Sequence, residues 1–208
     1  SQDVMDTALA LTLRDLSDLV ADRLNSLDTL LGDLVKREGA HSLMGRTRMQ
    51  AALPITAGDR INSWRRQLAH HVQALSFLRE RVDRLQLGGA VGTAQAFHGK
   101  AEEIGSRMAR ELRLQHGPVW HSDRSGLVAY AGWLSSITGS LGKIGQDIAL
   151  MAQQGLDDVT VSGGGGSSAM PHKSNPVLAE LLVTLARFNA TQIAAMHHAL
   201  VHEQERSG

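Results

Sequence analysis

An all-α fold built from long packed helices is what this sequence predicts. Apolar residues recur at threes and fours over stretches longer than an ordinary globular helix. Aromatic residues are scarce, three Trp, one Tyr and three Phe in 208 positions. No segment shows the apolar–polar alternation of a half-buried strand. With so few rings, Leu, Ile, Val and Ala must fill the interior, which favours helices in close contact.

The first periodic pattern runs over residues 3–37, through Leu9, Leu13, Leu16, Val20, Leu24, Leu27, Leu31 and Leu34, and Gly39 supplies its stop. Such a helix is a rod about 50 Å long at ~1.5 Å per residue. It cannot bury its stripe inside a small globule, so a bundle shared between subunits is expected. Residues 45–54 are expected outside regular helix. A second helix is expected over 56–86, carrying Ile61, Trp64, Leu68, Val72, Leu75, Leu78, Val82 and Leu85, until the run from Gly88 to Thr93 breaks it. A shorter one, 95–114, uses Ala101, Ile104, Met108 and Leu112 before Gly117 and Pro118 close it.

The helix expected over 123–154 is unusual because Gly132, Ser135, Gly139, Gly142, Gly145 and Ala149 recur at helical spacing beside Leu134, Ile137, Leu141, Ile144 and Ile148. Each interior Gly costs about 1 kcal/mol against Ala. That many are tolerable where small residues let neighbouring backbones approach, so this helix is read as buried and central. Residues 157–174 read as a Gly/Ser-rich loop. Asn175 as N-cap and Pro176 at the first helical position then open a last helix.

Lys plus Arg and Asp plus Glu both total 21, giving zero formal net charge. No surplus of positive charge is available for a nucleic-acid backbone or an anionic membrane. The chain has no Cys, which excludes disulfides, thiolate metal sites and cysteine nucleophiles and fits a cytoplasmic setting. No apolar run is read as approaching the ~18–20 residues of a membrane span. The N-terminus does not read as a signal peptide.

The stretch Gly163 to Pro176 carries the chemistry. A P-loop would need Gly-Lys-Ser/Thr after its glycines, and Ser167-Ser168-Ala169 stands there instead. A flexible Gly-Ser linker accounts for 163–167 and leaves the continuation unexplained. An anion site at the N-terminus of the last helix is physically reasonable. It is contained in a fourth reading, in which glycines let successive amides converge near a serine while Lys173 and Asn175 hold a substrate carboxylate. A free serine is a poor base, and its alkoxide needs such surroundings.

From Gly166 to Pro176 the sequence resembles the GSSxMPxKxNP signature of the fumarase/aspartase superfamily. The run from Ser1 to Ala8 resembles its TSQD segment, and Gly45 to Pro54 its GRTHxQxAxP segment, in the family's order. The resemblance covers essentially the whole chain. It implies a fumarase/aspartase-type central helical domain over 1–208, with the family's N-terminal and C-terminal domains absent from this chain. It also implies a homotetramer whose long helices form one multi-helix core, and active sites assembled from three segments of different subunits.

By position in these motifs, Ser167 is the catalytic base, with Ser168 as fallback, and Ser1, Thr47, Gln50, Lys173 and Asn175 bind substrate carboxylates. Neither a metal nor an organic cofactor is implied. The partner is a small polycarboxylate, with no nucleic acid or membrane.

One departure from the pattern is informative. The family usually has His where this chain has Arg48, and that His, paired with a glutamate, helps protonate a departing hydroxyl or amine. Arg stays charged and cannot do so. Either the site is inactive or its reaction needs no such acid. The superfamily's cycloisomerase branch, which closes a lactone from a carboxymuconate, fits the second case. Its leaving group in reverse is a carboxylate with a pKa of about 4, and a fixed cation suits it.

Glu180 stands where the partner glutamate falls and is expected to pair with Arg48, as part of the site or as a salt bridge at a subunit contact. Adenylosuccinate lyase-type elimination and a non-catalytic helical scaffold remain as alternatives. His198 and His202, four apart, raise a weaker metal reading. His70 and His71 read as surface residues. His121 and Arg124 read as either structural or reaching the site.

Overall fold

The structure, a computed structural model, describes residues 2–162, 165–167 and 170–206, with the backbone alone described at Gly166, Ser167 and 170–172. Helix α1 spans Gln2–Glu38, α2 Ala57–Val82, α3 Ala101–Leu112, α4 Ser125–Met151 and α5 Val177–His198. The all-α expectation holds for the architecture, with one correction. Two small antiparallel hairpins occur where no strand was read: β1 (Ser42–Thr47) with β2 (Gln50–Thr56), and β3 (Gly165–Ser167) with β4 (Met170–Asn175).

Helix limits differ from expectation where identifiable local forces act. Helix α2 stops at Val82 because the chain turns extended, with Leu85 donating to the Gln115 carbonyl at 2.9 Å and Gln115 to the Asp83 carbonyl at 2.7 Å. The segment expected as one helix over 95–114 is a 3-10 turn at Gln95–Phe97 followed by α3, split by left-handed His98 and Gly99. Its C-terminus is set by left-handed Arg113, whose amide bonds back to the α3 carbonyls, rather than by Gly117 and Pro118. The start of α2 is a capping box: Thr56 Oγ accepts from the Asp59 amide at 3.0 Å, and Asp59 accepts from the Thr56 amide at 2.9 Å. That amide bond, reinforced by the Thr56 hydroxyl, holds the Asp59 carboxyl below its ordinary value.

The chain divides into two compact units, Ser1–Arg23, Val72–Trp133 and Ile193–Gly208 in the first, Leu24–His71 and Leu134–Gln192 in the second. In the first, Ala10, Leu85, Ala109 and Leu114 form a core cluster, and buried Tyr130 and Trp133 pack as a tilted pair with ring centroids 5.2 Å apart. Tyr130 also shares a 3.0 Å hydrogen bond with fully buried Ser17.

In the second unit, Trp64 donates to buried Asp147 at 2.8 Å, and Lys143 and Arg60 neutralise that carboxylate. Asp28 and Arg65 form a bidentate pair at 2.8 and 3.0 Å. His71 is half-buried rather than a surface residue; it bonds Ser140 at 2.8 Å, and burial lowers its pKa.

The small-residue face of α4 explains its glycines only in part. Added Cβ atoms at Gly142 and Gly145 would stand 2.5 Å from Ala186 Cβ and from the Ala179 carbonyl oxygen, so α5 is in direct backbone approach there. Added Cβ atoms at Gly132 and Gly139 would meet no neighbouring element among the described residues.

Helix α5 leaves an apolar face uncovered, with Leu178 72% and Phe188 60% exposed, and Leu181 and Leu185 about half so. By length and composition alone α5 is long and apolar enough to cross a membrane, which corrects the expectation that no segment approaches that test. Ala and Leu carry its hydropathy past interspersed Glu180, Thr184 and Arg187.

Candidate active site

The β1–β2 hairpin places three of the expected site residues at its tip. Thr47 pairs with Gln50 across a two-residue turn formed by Arg48 and Met49. Both turn residues are left-handed, with φ of 49° and 67°. That is the geometry of a type I′ turn, which ordinarily selects Asn or Gly. Thr47, Arg48 and Gln50 are all exposed.

Gly45 sits at a register shift, where an added Cβ would meet the Leu53 carbonyl at 2.8 Å. Arg46, which sequence reasoning passed over, ties the hairpin to Asp158 at 3.2 Å and to the Met44 carbonyl.

A left-handed non-Gly residue costs about 1–2 kcal/mol, and Gly gives back ~0.5–1 through unfolded-chain entropy. Met49→Gly is therefore expected to stabilise the chain by about 0.5–1 kcal/mol, seen as a higher urea midpoint with an unchanged slope. A lowered midpoint would mean that the Met49 side chain, 74% exposed, makes up that cost elsewhere.

Lys173 and Asn175 lie on β4 and, with Ser174, line a cleft of about 720 Å³ whose other wall is Ala152, Gln154, Asp157, Val159, Thr160 and Val161. Ser174 Oγ donates to the Val161 carbonyl at 3.3 Å and joins the two walls. Ser167 lies on β3 opposite Met170. Ser1 and Ser168 lie outside the described residues. Asn175 and Pro176 lead into α5, which begins at Val177, one residue later than read; the Pro176 carbonyl accepts the Glu180 amide at 3.0 Å.

Glu180 lines a different groove of about 450 Å³, between α4 and α5, with Gln146, Gln153, Thr184 and Arg187. No ion pair joins Arg48 to Glu180 among the described residues of one chain. His121 and Arg124 are engaged with the first turn of α1. No cluster of three or more His, Asp or Glu suited to a metal ion occurs among the described residues.

The described residues thus combine a helical scaffold, an exposed cationic hairpin tip and a Gly/Ser hairpin leading into a helix. A family model described as a lyase matches residues 1–191, and the chain belongs to this family, within the fumarase/aspartase superfamily. It is 38% identical to 3-carboxy-cis,cis-muconate cycloisomerase of Pseudomonas aeruginosa, over 100% of this chain and 46% of that protein. It is 34% identical to N-acetyl-S-(2-succino)cysteine lyase of Dickeya dadantii, over 99% of this chain and 46% of that one.

Among solved structures, the 3-carboxy-cis,cis-muconate lactonizing enzyme from Pseudomonas putida superposes with a TM-score of 0.91 at 38% identity, covering 99% of this chain and 47% of that one. The chain thus spans about half the length of the curated relatives it matches.

Proposed function

We propose that this chain is the helical core of a cytoplasmic cycloisomerase interconverting 3-carboxy-cis,cis-muconate and 4-carboxymuconolactone in aromatic-acid breakdown, without metal or organic cofactor. The observation that carries the reading is Arg48, a permanent cation at an exposed hairpin tip, where hydroxyl- or amine-eliminating relatives need an acid. In the lactone-forming direction a substrate carboxylate oxygen bonds to the alkene carbon and the π pair moves to the neighbouring carbon. That carbon, alpha to another carboxylate, takes the proton of Ser167. In reverse, the Ser167 alkoxide removes this proton, the C–O bond breaks, and the electron pair leaves with a carboxylate that needs no proton.

Arg48 stabilises that carboxylate through its planar fork. Lys173 and Asn175 stabilise the charge that develops on the carboxylate next to the carbanion. Thr47, Gln50, Ser1 and Ser168 complete the substrate contacts. In this reading the active form is a homotetramer. The bare face of α5 and the open sides of Gly132 and Gly139 are covered by other copies, and Glu180 meets Arg48 from another subunit.

Purified enzyme is expected to convert 3-carboxymuconate and to leave adenylosuccinate unchanged, and the opposite preference would replace this reading with the elimination lyase. Arg48→His should cut lactone formation by roughly 10–100-fold, the scale of one charge-assisted contact. Wild-type rates in that variant would remove the requirement for a fixed charge.

A further inference from the structure

We infer that His121 is a positioning residue for the substrate-binding segment that opens α1, acting through Asp3. The inference rests on the proposed role of that segment. The first turn of α1 presents Gln2, Asp3 and Asp6 to the chain segments 85–89 and 120–124. The Asp3 carboxylate accepts three hydrogen bonds, from His121 Nε2 at 2.6 Å, the Gly89 amide at 2.8 Å and the Gly88 amide at 3.1 Å. Asp6 accepts from Arg124 at 3.0 Å, Gln86 at 3.1 Å and Gln2 at 3.2 Å. Gln2 also reaches the His121 carbonyl, and Gln86 accepts from the Trp120 amide at 2.9 Å.

His121 is 2% exposed, and Asp6 and Gln86 are likewise buried. Three donors on the Asp3 carboxylate require the proton on Nε2 of His121. Its Nδ1, turned toward Gly92, makes no hydrogen bond among the described residues, and neither does Gln2 Oε1.

This arrangement is poor as a stabiliser. Burying charged groups costs desolvation that apolar packing of the same volume avoids. What the network does well is fix one geometry. Asp3 and Asp6, on a single helical turn, are each held by partners from both segments, and Gln2 by the second alone, which sets the rotation and height of the turn that opens the segment.

The test uses the isolated enzyme with His121→Phe, His121→Gln and Asp3→Asn, measuring tricarballylate binding by calorimetry beside kcat and KM. His121→Phe keeps the ring volume without the donor and should raise Kd and KM by about tenfold or more, with kcat within roughly threefold. His121→Gln, whose amide donates from about the same place, should stay within about twofold of wild type.

A lower Tm in His121→Phe with an unchanged Kd in the folded fraction overturns the inference. Should that variant not fold, Asp3→Asn carries the test: a raised Kd supports the inference and an unchanged one overturns it. Absence of tricarballylate binding by the wild type would count against the substrate reading instead. Positioning is then read from amide exchange over residues 2–8, faster in His121→Phe and unchanged in His121→Gln; equal exchange in both overturns it.

Discussion

Ser167→Ala is expected to lower kcat for lactone formation by about a thousandfold or more, since it removes the group proposed to carry the proton. KM should change little, because the substrate contacts assigned to Lys173, Asn175, Thr47 and Gln50 remain in place. Ser168→Ala, one residue on, should cost far less. The two variants together separate a proton carrier from a general requirement for hydroxyls in this Gly-rich stretch. If Ser168→Ala shows the large loss and Ser167→Ala the small one, the roles assigned to the two serines exchange.

A large structural effect is expected at Gly145. An added Cβ would lie 2.5 Å from the Ala179 carbonyl oxygen and 2.9 Å from Leu182 Cβ, and neither a helix backbone nor a Cβ can swing aside. Gly145→Ala should therefore push α4 and α5 apart and cost about 3 kcal/mol, at the upper end of overpacking penalties. This would appear as a fall in Tm of several degrees. Gly139→Ala is the informative contrast, because among the described residues nothing outside its own helical turns lies within 4 Å of its added Cβ.

In a dissociated chain that substitution should be neutral or stabilise by up to about 1 kcal/mol through helix propensity. In the assembled enzyme the proposed bundle reverses the sign, since another copy's helix would occupy the space. Stabilisation under both conditions would argue that this face of α4 does not enter a helix contact.

The long helices were legible because 3.6-residue periodicity survives over many turns, and the glycine spacing of α4 correctly announced a close backbone approach at Gly142 and Gly145. The β1–β2 hairpin was not legible. Its turn is Arg48-Met49 instead of a Gly- or Asn-bearing pair, and Gly45 and Pro54 interrupt any alternation, so the usual local signals are missing. The β3–β4 hairpin was hidden in the same way by Gly and Ser.

At the site, the motifs single out the candidate residues, and the structure adds that Lys173 and Asn175 share one cleft while Glu180 lines another groove. The Asp3–His121 contact joins residues 118 apart, and nothing local in a sequence encodes such a pairing. The Arg46–Asp158 tether, between residues 112 apart, has no local signature for the same reason.

In the proposed mechanism Ser167 moves the proton at the carbon alpha to a substrate carboxylate. Incubating 4-carboxymuconolactone with the enzyme in D2O and reading that methylene by NMR tests it without reliance on net turnover. Deuterium should enter at that carbon with wild-type enzyme and fail to enter with Ser167→Ala, while Arg48→His, whose change lies at the leaving carboxylate, still supports slow exchange. Deuterium entering at the wild-type rate in Ser167→Ala would rule out that role for Ser167 and place the base on another residue.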